Sequence, residues 1–525
     1  MITAITLAVL AVISLGVAAS LHFGVIGGPD FREALVVEQE PLSLDPLIGE
    51  QDPAVRDVGH LLYRSLLQLD AGAVPRPDLA RQYSVSADGL TYHLTLAPGQ
   101  RWSSGGRIMP ADVAATFAFL QTSTTADRRL ASLVQGVKLA VTGSDVVFTL
   151  PAPHTAFGAA LTQVPILPFG TLSTKQLAAV ASRPNQPLAT SGAYRVAAAT
   201  DAAIDLERNP HATARAGLGR IRFDLYTSFT AAAAAYNSGG ADAVLAATPQ
   251  QSATLLKRSG SVAHSIRTFQ FVDLLFNERV PGLDDLLVRG SIALAVNRAA
   301  IIQGALDSSG GAPQVQAISE GLPWAAGPAS AGTTSAAQAS AYLQQDGWSL
   351  NAQGTRVRGA VALSYSLTVP DVEPLRTVAA ELATQLAKIG VTIRVTPVPA
   401  DHFVSPDVQQ HDFQLALGDW DGGPDPDVSA FWRSNATPPQ GFNVSGSPVD
   451  PFLDQALDVL ATASDPQARI SAAASVSRHL VLDATAVFLY TPEVSYVVHA
   501  SLGAMPIPAT GDSTARFDDI AGWRH

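Results

Sequence analysis

The chain has 525 residues, 47% of them apolar and only 15% charged, with a formal net charge of -12 and no cysteine. That length exceeds one ordinary core, and the composition excludes a disordered chain and a nucleic-acid surface, which would need clustered Lys and Arg. Without cysteine there is no disulfide, no thiolate metal site, no cysteine nucleophile and no lipid-modified N-terminal cysteine.

Residues 1–28 contain no Asp, Glu, Lys or Arg and are long enough to cross a bilayer as one helix. An uncleaved export segment or membrane anchor is expected. A cleavable signal peptide is the rival, with Val17 and Ala19 as the small residues ahead of Ser20. Neither has the basic flank that usually precedes such a segment. Either places the rest of the chain outside the cytoplasm.

The body alternates helix and strand signals. "PAVRDVGHLLYRSLLQ" (53–68) predicts a helix. In "LTYHLTL" (90–96), Leu90, Tyr92, Leu94 and Leu96 share one face and Thr91, His93 and Thr95 the other, a half-buried strand. "MPADVAATF" (109–117) opens a helix with Asp112 as its cap. "SRPNQP" (182–187) could separate two regions. "GRIRFDLYTS" (219–228) alternates through Ile221, Phe223 and Leu225, and "LVRGSIALAVNRAAIIQGA" (287–305) predicts a second long helix. In "EPLRTVAAELATQLAKIGVTIRVTPV" (373–398), Leu375, Val378, Leu382, Leu386 and Ile389 follow a 3.6 period. Gly390 then stops the helix, and Val391, Ile393 and Val395 alternate as a strand.

"LGDWDGGPDPDV" (417–428) sets Trp420 among four aspartates, Asp419, Asp421, Asp425 and Asp427, with three glycines and two prolines. The mixture suits neither a helix nor a regular strand, and a turn-rich loop is expected.

Sequence motifs for catalysis are missing. There is no phosphate loop, no H-E-x-x-H and no G-x-S-x-G in a strand–turn–helix setting, and Ser173 stands one residue too near Lys175 for a Ser-Lys nucleophile. His402 and His411 read as solvated surface histidines. No enzyme, cofactor or metal site is expected.

Several segments, in order, resemble the extracytoplasmic solute-binding proteins of ABC importers, family 5, the dipeptide- and oligopeptide-binding group. Residues 61–120 carry its pattern at Pro77, Leu79, Ala80, Asp88, Gly89, Trp102, Ser103, Gly105, Asp112 and Val113. "TSGAYRV" (190–196), "LERNPHA" (206–212), "YNSGGADAVL" (236–245), "LLFNERVPGLDDLLVRGSIALAVNRAAII" (274–302), "ASAYLQQDGW" (339–348) and "LATQLAKIGVTIRV" (382–395) resemble later blocks. Ala97 and Gly290 depart from the usual residues.

The resemblance implies a mixed α/β (α+β), periplasmic-binding-protein-like clamp of type II. Two lobes would close on a solute, with an extra third region packed on the first. Lobe I would comprise 29–50, 190–268 and 488–525, the extra region 51–189, and lobe II 269–487. The chain would cross near 269–277 and 486–496. A short peptide is the expected solute and a membrane permease the expected partner, with the binding protein a monomer. A metal-chelate or oligosaccharide binder, or a transport-retired sensor or envelope-assembly partner, is the alternative.

In peptide-binding members an aspartate after the tryptophan pairs with the peptide α-ammonium group. Asp421 is the nearest match here, one residue short of the usual spacing, and Asp419 or Asp425 could take its place. An ammonium entering a closed cleft loses hydration and needs a fixed carboxylate. Trp420, Trp324 and Trp102 are candidate walls, though a buried indole usually packs in a core. Glu50 and Gln51 are candidates at the lobe junction. Asp425-Pro426 reads as a structural pair fixing the loop.

Overall fold

The computed structural model describes residues 30–523, except 39–41, 49–51, 71, 171, 173–187, 214–215, 308–309, 320, 323, 326–333, 437–440, 442, 444–449, 464 and 504. Residues 1–28, Glu50, Gln51 and the 182–187 stretch therefore lie outside the described residues.

Alternating apolar residues build most of one long mixed sheet. On Arg220–Tyr226, Ile221, Phe223 and Leu225 are buried while the residues between them are partly exposed. This strand pairs in parallel with Phe31–Val36 and antiparallel with Ala203–Arg208. Ala243–Ala246 joins Phe31–Val36 to the strand Ala486–His499. Beyond that strand follow Gln270–Phe276, Leu415–Asp421, Ser364–Pro370 and Thr392–Val398. The last two are parallel neighbours joined by the helix Leu375–Ala387, whose Leu375, Val378, Leu382 and Leu386 are buried.

Ala486–His499 belongs to both halves of the sheet. Ala486–Tyr490 pairs with Gln270–Phe276, while Glu493–His499 pairs with Ser261–Arg267. Two neighbouring connections therefore cross between the lobes. They are tied where they cross: Thr268 donates its N–H and its hydroxyl to the Pro492 carbonyl, both at 3.0 Å, and Arg267 meets Glu493 at 3.2 Å.

Separate cores make the halves separate bodies. The extra region adds a four-stranded antiparallel sheet, Ala80–Val85, Thr91–Leu96, Asp145–Thr149 and Lys138–Thr142. Its Tyr92, Leu94, Trp102, Phe117 and Phe148 share one continuous core with Phe31, Ile221, Phe223, Tyr496 and Trp523 of the first lobe. The second-lobe sheet is covered on both faces. Leu274, Leu367, Leu417 and Leu489 pack on one side; Phe271, Leu275, Trp420 and Phe488 pack on the other.

Four sequence expectations need correction. The first helix spans only Pro53–Leu62, because the Leu62 carbonyl accepts N–H groups from Ser191 at 3.0 Å and Gly192 at 2.7 Å. A Cβ at Gly192 would stand 2.3 Å from the Leu61 carbonyl oxygen, so only glycine allows that approach. The 287–305 stretch forms two helices, Leu286–Ala295 and Arg298–Ala305, bent by 50°. Asn297 causes the break: its side chain caps the second helix at the Ala300 N–H, 3.0 Å, and Gln385 accepts its own N–H at 2.6 Å. Asp112 is not the cap of Pro110–Thr122 but its third residue, reaching back to the Met109 N–H at 2.8 Å. Finally, Leu417–Asp421 is not loop but the end of a regular strand, paired with Gln270–Leu274.

Candidate functional site

Strand direction selects one edge of each lobe. Ser364–Pro370 and Leu415–Asp421 run parallel in the second lobe, the latter reaching further, and Phe31–Val36 and Arg220–Tyr226 run parallel and end together in the first. Ligands of open sheets bind beyond such carboxyl ends, because the connecting loops converge there. Charge links the two sides. The Arg129 guanidinium, on the extra-region helix Arg128–Leu133, is attracted first by Asp127 of its own helix cap, then by Asp421 of the second lobe and Asp512 near the C-terminus.

The end of Leu415–Asp421 sorts its residues by pleat. Asp419 and Asp421 stand opposite Val272 and Gln270 on one face, and Trp420 turns to the other. Trp420 is 5% exposed, donates its indole N–H to Asp273 Oδ1 at 2.9 Å and meets the rings of Phe403 and Phe431. A Cβ at Gly418 would come within 2.3 Å of the indole nitrogen, so the glycine makes room for the ring on its own strand.

The four aspartates of 417–428 have four different surroundings. Asp421 is exposed and accepts the Gly423 N–H at 2.9 Å, with Gly423 at φ +67. Asp419 is exposed too, yet protein closes round it. Lost hydration, with the Asp421 charge second, pushes its carboxyl up to about 7. The buried Tyr490 hydroxyl lies within range of the Asp419 charge. Asp425 is bound to Arg469, and Asp427 meets His154 of the extra region at 3.2 Å.

The aromatic candidates divide. Trp324 is partly buried under the Arg469 guanidinium, 5.3 Å from its ring centre, and is thereby joined to Asp425. Trp102 is 4% exposed within the shared core of the extra region and first lobe. The structure thus brings Asp419 and Asp421 together, places Trp324 behind the same loop, and puts Trp420 and Trp102 in cores.

Arg56 and Arg129 escaped the sequence reading. Arg129 donates to Gln163 Oε1, and lost hydration followed by the Arg56 charge lowers its pKa. Neither guanidinium forms an ion pair among the described residues. Asp127 caps the Arg128–Leu133 helix, its carboxylate accepting the Leu130 N–H at 2.8 Å. No local pattern says that a charge from another lobe will face Arg129. A groove of about 400 Å³ on the first lobe, lined by Phe229, Asn237, Gln250 and Thr254, has no charged lining and lies apart from this cluster.

Comparison with known proteins gives one consistent answer. The family described as bacterial extracellular solute-binding proteins, family 5, middle part, matches residues 74–442. Protein XP55 of Streptomyces lividans is 25% identical over 480 residues, 90% of this chain and 86% of that one. The oligopeptide-binding protein AppA of Bacillus subtilis, solved with a nonapeptide, superposes with a TM-score of 0.72 at 19% identity, covering 94% of this chain and 99% of AppA. NikA of Brucella suis, solved with Fe(III)-EDTA, gives 0.78 at 18% identity, covering 95% and 100%. These two likenesses establish the type II periplasmic-binding-protein fold.

Proposed function

The chain belongs to family 5 of the bacterial extracellular solute-binding proteins, and on that premise we propose that its solute is a short peptide with both termini free. Members of the family bind peptides or other small solutes outside the cytoplasm for import through ABC permeases. The observation that carries the finer reading is the open pair Asp419 and Asp421 on the second-lobe edge, with Arg129 in charge range across the cleft. The ligand ammonium pairs with the two carboxylates, and its carboxylate with Arg129 and Arg56. Trp324 backs the loop through Arg469. The protein acts as a monomer, and residues 1–28 export it and hold it to the membrane.

Calorimetric titration of trialanine, its N-acetyl form and its C-terminal amide tests this. Asp421→Asn weakens trialanine by roughly 2–5 kcal/mol, since it removes one partner of a desolvated charge pair, and leaves the acetylated peptide little changed. Arg129→Gln does the reverse, sparing the amide. Equal losses for the free and blocked peptides overturn the assignment. The two guanidiniums, without an ion pair among the described residues, also suit the carboxylates of a metal chelate. That second reading requires Asp421→Asn to leave Fe(III)-EDTA binding unchanged or tighter.

A further inference from the structure

The extra region reaches the second lobe directly, away from the two crossing connections. Thr155 donates its N–H to the Ala461 carbonyl at 2.8 Å and its hydroxyl to the same oxygen at 3.1 Å. Ala461 lies in the last turn of the helix Pro451–Thr462, where carbonyls lack partners in their own helix. His154 beside it contacts Asp427 through Nδ1 at 3.2 Å. Ala73 of the extra region also joins the second-lobe core cluster of Phe271, Trp420 and Phe488. The extra region and first lobe share one core, so these contacts join two bodies that hinge motion would part.

We propose that His154 and Thr155 form a proton-dependent clasp, holding the second lobe against the extra region when His154 is charged and releasing it when His154 is neutral. The inference needs no assumption about the solute. The Asp427 carboxylate meets the imidazole and favours its cation, while the last turn of a second-lobe helix holds the neighbouring Thr155. Asp427 is almost completely buried, while half of the His154 side chain is open, so a proton can come and go. The charged groups acting on His154 are Asp427, Asp425 and Arg469. Burial works against its charge, but the bond to Asp427 and the two carboxylates outweigh burial and Arg469, and raise its pKa. Tyr92, on the same side, donates to the His154 carbonyl at 3.1 Å and fixes the segment. A raised histidine stabilises the joined form fully at low pH, and that contribution is lost as pH rises through the raised value.

Small-angle scattering of the solute-free protein between pH 5 and 9 tests the clasp. The radius of gyration of the unaltered chain increases with pH, with a midpoint above the ordinary histidine value of about 6.5. His154→Gln and Asp427→Asn abolish the transition and are as expanded at pH 5 as the unaltered chain is at pH 9. His154→Lys, a permanent cation, keeps the compact form across the range. Asp419→Asn retains the transition, separating it from the other group that titrates near neutrality. A profile flat with pH for the unaltered chain, or one unchanged by both His154→Gln and Asp427→Asn, overturns the proposal.

Discussion

Glu33 of the first lobe with Asp57 of the helix packed on it, and Asp419 with Asp421 in the second lobe, form two pairs of neighbouring carboxylates, and folding treats them differently. The first pair closes on Arg516, whose guanidinium reaches Glu33 at 2.7 Å and Asp57 at 2.8 Å with no exposure of its own. Tyr496 and Ser513 donate to the same carboxylates, each at 2.7 Å. Burial works against the Arg516 charge, but Asp57 and Glu33 outweigh it and hold its pKa above the ordinary range. The second pair meets no cation in an ion pair among the described residues; the Asp421 charge acts instead on Arg129 of the other body. A closed pair spends its charge inside the fold, whereas an open pair keeps its charge at the surface.

The largest effect should follow from opening the closed pair. Arg516→Met leaves two carboxylates in a dry core and costs about 3–5 kcal/mol, measured by denaturant unfolding. A loss no larger than that of a surface substitution would erase the contrast. The next effect concerns binding. Asp419 must be ionised to meet an ammonium group, and its pKa is pushed up to about 7 without a solute. Trialanine affinity therefore falls as pH drops below that value, by up to about tenfold per unit, and binding near neutrality releases protons. Calorimetry in buffers of different ionisation enthalpy measures both, and Asp419→Asn flattens the profile.

The smallest effect is on the stability of the solute-free protein. A carboxyl whose folded pKa is raised destabilises the fold progressively as pH rises from its unfolded value near 4 to the folded value near 7. Asp419→Asn removes that penalty, and at pH 8 the variant is equal to or more stable than its parent. Asp419 is exposed, and solvent screening keeps the gain under about 1 kcal/mol. Destabilisation by this change would place Asp419 with Glu33 as a structural acid.

Much of the fold was legible wherever one face of an element is dry. Ile221, Phe223 and Leu225 alternate because one side of their strand is core, and Leu375, Val378, Leu382 and Leu386 mark the buried face of a helix. Thr95 breaks the rule: it faces with His93 by pattern yet is buried, its hydroxyl satisfied by Asp145 at 2.8 Å. The early end of the first helix depended on Ser191 and Gly192, more than a hundred residues away. In 417–428 composition hid the strand, because Asp419 and Asp421 are exposed at its end while Trp420 fills the core. The aspartates drew attention through their number. Arg56, Arg129, His154 and Arg469 did not, since what distinguishes them is a charge supplied by a distant part of the chain.

The strand Ala486–His499 also fixes a timetable. Its first residues pair with Gln270–Phe276, and its last residues lie between Ala243–Ala246 and Ser261–Arg267, so neither half of the sheet is complete until more than 480 residues have been made. A ribosome adding about 5–20 residues per second takes tens of seconds to reach it. During that time both lobes lack a central strand, and their apolar edges cannot close. Completion of the long sheet is thus deferred until late in synthesis, although the four-stranded sheet of the extra region needs no residue of this strand. The penalty for deleting this one strand is correspondingly the loss of both lobes together.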